Sequence, residues 1–321
     1  MAIIKILKIS FLYIGTVIGA GFATGKELTV FFKDTSTITL VLGGICLGLF
    51  CGYYLYLGKN ISDDLSVIVF KKYSGVFDFI VFWSTFFVFV SMFDTSDIVL
   101  NNFNIKYGGY ISIIFTLFSA VIGISFIKKI NFLVIPLIVV MVAVIFSKHP
   151  TISGGTISVF SPILYAGMNI MLAGFVIKNE GKGLTNKQII ATTIISSIIL
   201  SILMILIYQI VKGSNDIMPL LSVAKKYNID AIASIVIYLA ILTTALSSGI
   251  ICLDYLNKFT NSKIYSAVIL FLLAIPFKIY LGFEKIVKFV YPIVSVLGIL
   301  ISFLSLVEII RRKRRKKQNN L

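Results

Sequence analysis

The chain has 321 residues, of which 58% are hydrophobic and 13% charged, and a formal charge of +16. A soluble globular protein carries roughly 45–50% apolar residues, so this balance excludes one and points to a polytopic membrane protein. One histidine and three cysteines leave no material for a histidine-based metal cluster, a catalytic triad or a disulfide framework, and the chain is not read as an enzyme.

Ten apolar segments near the roughly 20-residue length that crosses a bilayer are visible. They run approximately 6–32, 37–57, 76–100, 108–127, 130–147, 157–177, 188–211, 231–256, 264–281 and 286–310. The first lacks a clean small-residue cleavage site and is expected to remain as a helix. It is interrupted by Gly15-Thr16-Val17-Ile18-Gly19-Ala20-Gly21-Phe22-Ala23-Thr24-Gly25-Lys26-Glu27. In lipid every backbone N–H and C=O must be satisfied internally, so such a break is tolerated only where it lines a cavity. Secondary transporters build binding sites from two half-helices of this kind. Thr24-Gly25-Lys26-Glu27 fits a capping box, which predicts that the helix restarts at Thr24 with Glu27 as cap. Lys26 or Glu27 is alternatively an outer gate, and the two roles are compatible.

Cys46 and Cys51 in the second segment and Cys252 in the eighth read as packing residues. The stretch from Ser62 to Lys72 is expected to lie along the cytoplasmic interface. Asp94 and Asp97 in the third segment are three residues apart and so share a helix face. Intramembrane carboxylates mark ion or substrate paths. A proton site, a cation site, a pairing with Lys26 and an ordinary surface position beyond a span ending near Phe93 are all open.

In the sixth segment, Ser161-Pro162 reads as an N-cap with proline at the first helical position. Tyr165-Ala166-Gly167-Met168-Asn169 is the expected unwound stretch, with Tyr165 and Asn169 able to contact a polar substrate beside Gly167. Tyr165-Ala166-Gly167 with Leu172-Ala173-Gly174-Phe175 partly echoes Tyr13-Ile14-Gly15 with Gly19-Ala20-Gly21-Phe22 in the first segment. The fold expected is therefore an all-α integral membrane protein of about ten transmembrane helices, a five-plus-five inverted repeat with helices 1 and 6 broken. Residues 1–310 form one bundle, with repeat one about 1–150 and repeat two about 151–310. Residues from Asp216 to Lys226 read as a short amphipathic surface helix.

Ten spans put both termini on one side. With that side cytoplasmic, 19 of the 29 basic residues are inside, seven of them in the cytoplasmic tail at 311–321. The cluster directly follows a span, so it is read as anchoring to anionic lipid and not to nucleic acid. The expected location is the cell membrane, and the partners are the lipid bilayer and a small-molecule substrate.

Gly15 to Glu27, followed by two phenylalanines, closely resembles the start of the YkvI-like membrane proteins, which are regarded as amino acid permeases. More distantly it is similar to the amino acid-polyamine-organocation superfamily and the wider sodium-symporter group with the five-plus-five fold. Gly15, Gly19 and Gly21 match that group's Gly-x-x-x-Gly-x-Gly break. The resemblance implies that the carbonyls of Gly15 and Ile18 hold sodium, the one cofactor left open. It also implies that Thr16, Val17, Ala20 and Gly21 present backbone groups to a substrate carboxylate. The approach to that backbone runs past Gly19. The group's Ala-x-x-Ser/Thr-Ser/Thr pattern on span eight falls on Ala240, Thr243 and Thr244, with Ser247 and Ser248 as a second register. A span-five lysine, which replaces sodium in some proton-coupled relatives, is not found between Ile130 and Ser147. The function implied is secondary transport of an amino acid or small amine, sodium- or proton-coupled. The alternative is a membrane nutrient sensor using the same site without net transport.

Overall fold

A computed structural model describes residues 2–61, 74–122, 124–149 and 154–318. The expected interfacial stretch from Ser62 to Lys72 lies outside them. A helix runs through each of the ten apolar segments, and no strand occurs among the described residues. We number the helices α1 (Ala2–Val17), α2 (Ala20–Thr24), α3 (Lys26–Phe31), α4 (Thr37–Asn60) and α5 (Ser74–Asn101). They continue as α6 (Gly108–Ile122), α7 (Ile124–Lys148), α8 (Phe160–Gly181), α9 (Asn186–Val211) and α10 (Pro219–Lys226). The last are α11 (Asp230–Thr260), α12 (Lys263–Lys285) and α13 (Tyr291–Gln318).

Among the described residues seven helical stretches are long and apolar enough to cross a membrane, with α12 and α13 counted as one from Lys263 to Arg312. That stretch bends at Gly282, whose φ of 64° is open to glycine at no steric cost. Large apolar side chains such as Leu49, Phe118, Leu133, Ile198, Leu272 and Phe303 face outward and are exposed. An apolar surface this extensive is at home in lipid. The chain is a membrane protein.

The helices pack in recurring partnerships. α4 lies on α9 and α5 on α11. α1 packs on α7 as α8 packs on α13; α5 contacts α6 and α12, and α11 contacts the same two. α4 also touches α8, and α9 touches α1. The α4–α9 seam is close because Gly44, Gly48 and Gly52 oppose Ser201, Ser197 and Thr193, and a Cβ on any of these glycines would overlap the facing hydroxyl. Small residues at four-residue spacing let backbones approach where no hydrophobic force between helices operates.

Two sequence expectations change. The sixth segment is not unwound at Tyr165 to Asn169: those residues are α-helical, and the irregularity is a π-turn over Ile170–Gly174. Gly167 does not loosen the helix because it is a packing residue, pressed on the Ser295 carbonyl and the Ile299 side chain of α13. Ser161 is not the cap either. α8 begins at Phe160, and the Ser158 hydroxyl accepts from the Ser161 N–H at 3.3 Å.

Candidate functional site

The first span ends its first half at Val17 and resumes at Ala20. At the break the Gly19 N–H, which a continuing helix would direct to Gly15, donates to the Val17 carbonyl at 3.0 Å. The first helical bond after the break is Ala23 N–H to Gly19 at 2.8 Å, and the Ala20 N–H points at the Met92 sulfur at 3.4 Å. The carbonyls of Gly15 and Ile18 are thereby released from the ladder.

Both are met by α11. The Thr244 hydroxyl lies 3.2 Å from each, and the Thr243 hydroxyl lies 3.5 Å from Gly15 O while donating to Ala240 O at 2.9 Å. Five oxygens converge here: three carbonyls and two hydroxyls, all buried. Thr243 places its proton on Ala240, so the single Thr244 proton faces the two released carbonyls and one of them is left over. Hard oxygens short of donors are the ligand type that small hard cations take. Ser247 and Ser248 turn back onto the Thr243 and Thr244 carbonyls, at 3.0 and 2.8 Å, and do not join the cluster.

Beside the cluster is a cavity of about 20 Å³, bounded by Thr16, Val17, Gly19, Asn169, Thr244 and Glu27 among others. Room of that size holds about one water and no amino acid. Thr16 donates to Leu12 O at 2.7 Å and Asn169 Nδ2 to Tyr165 O at 3.0 Å, and both residues line the cavity. Ala20, Gly21, Tyr165 and Gly167 are not on its wall. Val88, Met92, Met168, Leu172 and Tyr291 are, and the sequence did not single them out. Val88 and Met92 are one turn apart on α5, a pattern indistinguishable from core packing. Tyr291, bonded to Ser91 at 3.0 Å, carries no local signal at all.

The expected capping box is not formed. Gly25, in the left-handed conformation at φ 82°, separates α2 from α3, and Thr24 donates to Ala20 O at 2.7 Å. Glu27 does not reach back to Thr24, because its carboxylate turns inward and accepts from the Tyr165 hydroxyl at 2.8 Å. The helix therefore restarts at Ala20, before the predicted point, and again at Lys26. Lys26 takes the opposite direction, bonding the carbonyls of Asn215 and Asp216 at 3.3 and 3.0 Å and pairing with Glu284 at 3.4 Å. It thus ties the first span to the loop before α10 at one end of the bundle.

Lys26 does not pair with Asp94 or Asp97. Asp97 is held by Lys278, which also stands 4.7 Å over the Tyr110 ring, and by the Gly109 N–H. Asp94 accepts from the Phe283 N–H at 2.7 Å, next to the bend at Gly282. α5 continues to Asn101, so neither lies beyond its helix, and neither reaches the cavity.

No family model matches the sequence, and no curated protein matches it. The fold is similar to that in a crystal structure of MhsT in complex with L-phenylalanine, at 15% identity and a TM-score of 0.67, covering 94% of this chain and 91% of that one. At this identity the likeness shows a shared fold.

Proposed function

We propose that this protein is a secondary transporter that moves an amino acid or related small amine across the cell membrane by alternating access, coupled to a cation. The observation that carries the reading is the oxygen cluster of Gly15, Ile18, Ala240, Thr243 and Thr244 against the small central cavity. The binding of L-phenylalanine by MhsT, which shares the fold, supports an amino acid as cargo.

In this reading the break at Ile18 and Gly19 is a hinge. A cation among the five oxygens joins α1 and α2 to α11, drawing the half-helices together around the substrate. Thr16, Val17 and Gly19, which bound the cavity, offer backbone groups to the substrate carboxylate, and Asn169 its side-chain amide. Lys26, bound to Glu284 and to the Asn215 and Asp216 carbonyls, holds one end of the bundle shut. Ten spans with both termini cytoplasmic fit the helices and the basic tail. Exchanging the first five spans for the last five maps the α1–α7 contact onto α8–α13, α5–α6 onto α11–α12, α5–α12 onto α11–α6, and α4–α8 onto α9–α1. That correspondence supports the five-plus-five repeat.

The test is uptake of labelled amino acids into proteoliposomes under an inward sodium gradient, a proton gradient or neither. Accumulation driven by one gradient is expected. Absence of both gradient-driven uptake and counterflow across the amino acids would overturn the proposal.

A further inference from the structure

Glu27 is the one formal charge on the cavity wall and is 3% exposed. Among the described residues no lysine, arginine or histidine pairs with it, since its neighbour Lys26 is engaged with Glu284 and two loop carbonyls. Among the described residues its carboxylate accepts one side-chain hydrogen bond, from the Tyr165 hydroxyl at Oε2. The other oxygen, Oε1, occupies the space where a side chain at position 21 would stand, so Gly21 is what admits the carboxyl to the interior. A carboxylate taken out of water without a partner is costly, and that cost is relieved by a bound proton or by a cation that donates to it.

We propose that Glu27 is the receptor for the substrate's ammonium group, which makes a free amine, and not a carboxylate alone, the required feature of the cargo. This rests on the transporter reading above and names the group that selects its substrate. An organic ammonium fits better than a metal ion. A metal needs several oxygens, and those of the α1–α11 cluster are gathered at Thr244. Glu27 has beside it the Tyr165 hydroxyl, itself a donor, and Tyr165 is boxed by Phe31 and Phe32 at ring distances of 5.4 and 5.3 Å. An ammonium donates to the carboxylate in a charge-assisted bond and tolerates aromatic faces around it. The remaining wall is uncharged, so one positive group balances the site.

The experiment uses the full chain in detergent and three matched pools as probes: alanine, valine, leucine, methionine and phenylalanine, the amines left by their decarboxylation, and the corresponding 2-hydroxy acids. Thermal stabilisation and calorimetric affinity are read for each. The amino acid and amine pools are expected to bind at least about tenfold more tightly than the hydroxy acids, as truncating one side of a buried charged pair does. Glu27→Gln is expected to remove that preference, and Glu27→Asp, one methylene shorter, to keep part of it. Equal binding of hydroxy acids by the wild-type protein overturns the ammonium role whatever the variants do, and leaves the transporter reading standing. Glu27→Gln binding the amine-bearing pools within twofold of wild type does the same. Absence of binding by every pool, with no amino acid uptake in proteoliposomes, overturns the transporter reading and this inference with it.

Discussion

The hydroxyl of Thr244 stands 3.2 Å from the carbonyl oxygens of both Gly15 and Ile18, so a single proton faces two acceptors across the break in the first span. Thr243 does not relieve the shortage, since its own proton is spent on Ala240 at 2.9 Å. Replacing Thr244 with valine keeps the shape and deletes the oxygen that joins the two carbonyls. If the cluster holds sodium, Thr244→Val raises the sodium concentration for half-maximal thermal stabilisation about tenfold or more, the effect of losing one ligand contact of about 1.5–3 kcal/mol. Potassium is the control. A sodium titration identical to that of the wild type would remove the cluster from the coupling scheme.

Lys26 contacts three oxygens at one end of the bundle, of which Glu284 is half-exposed to solvent and the Asn215 and Asp216 carbonyls are not charged. The exposed ion pair contributes at most about 1 kcal/mol, and the two carbonyl bonds add to it. Lys26→Met keeps the apolar stem and removes all three contacts, so this end should open more often. A cysteine placed at Thr16, in a chain whose Cys46, Cys51 and Cys252 are replaced by alanine, should react several-fold faster with a water-soluble maleimide added from that side. An unchanged labelling rate would deny Lys26 a closing role.

Along α4, Gly48 faces Ser197 so closely that even a Cβ there overlaps the serine hydroxyl. Gly48→Leu must therefore push α4 and α9 apart along the whole Gly44, Gly48, Gly52 stripe. Overpacking of this kind costs about 1–3 kcal/mol or more. The melting temperature in detergent should fall, while Gly75→Leu, a position with nothing within 4 Å among the described residues, should leave it nearly unchanged. Equal melting of the two variants would mean the seam is not close.

How far the site could be read from sequence depends on whether its chemistry is local. The break was legible because glycines at 15, 19 and 21 leave a mark in the chain itself, whereas Ala240, Thr243 and Thr244 were singled out only by the resemblance to the sodium-symporter group, which left Ser247 and Ser248 as a second register. Glu27 was legible as a special residue but not in its direction: the capping pattern describes α3 alone, whereas the carboxylate answers to Tyr165, 138 residues away. Tyr165 to Asn169 misled for the opposite reason. A glycine beside an asparagine suggests a weak helix, yet Gly167 is demanded by the approach of α13, a tertiary contact that no local pattern encodes. Tyr291 meets Ser91, Glu284 meets Lys26 and Lys278 meets Asp97 across long sequence separations, which no local pattern encodes.

Asn131 on α7 is fully buried, and among the described residues neither its Nδ2 nor its Oδ1 has a hydrogen-bond partner. Its carboxamide lies on Gly15, where an added Cβ would overlap it. Two consequences are separable. An unsatisfied buried amide costs about 1–3 kcal/mol, so Asn131→Leu should leave the sodium-free protein as stable as the wild type or more so. Gly15→Ala should destabilise it by a comparable amount, because the new methyl group and the amide compete for one space. Asn131→Ala vacates that space, so the double variant Gly15→Ala with Asn131→Ala should recover most of the loss. Unfolding in mixed micelles, run as a double-mutant cycle, should give a coupling of about 0.5–3 kcal/mol, the range for residues in contact. Strictly additive effects would separate Asn131 from the break, and with it the packing that fixes where the first span turns.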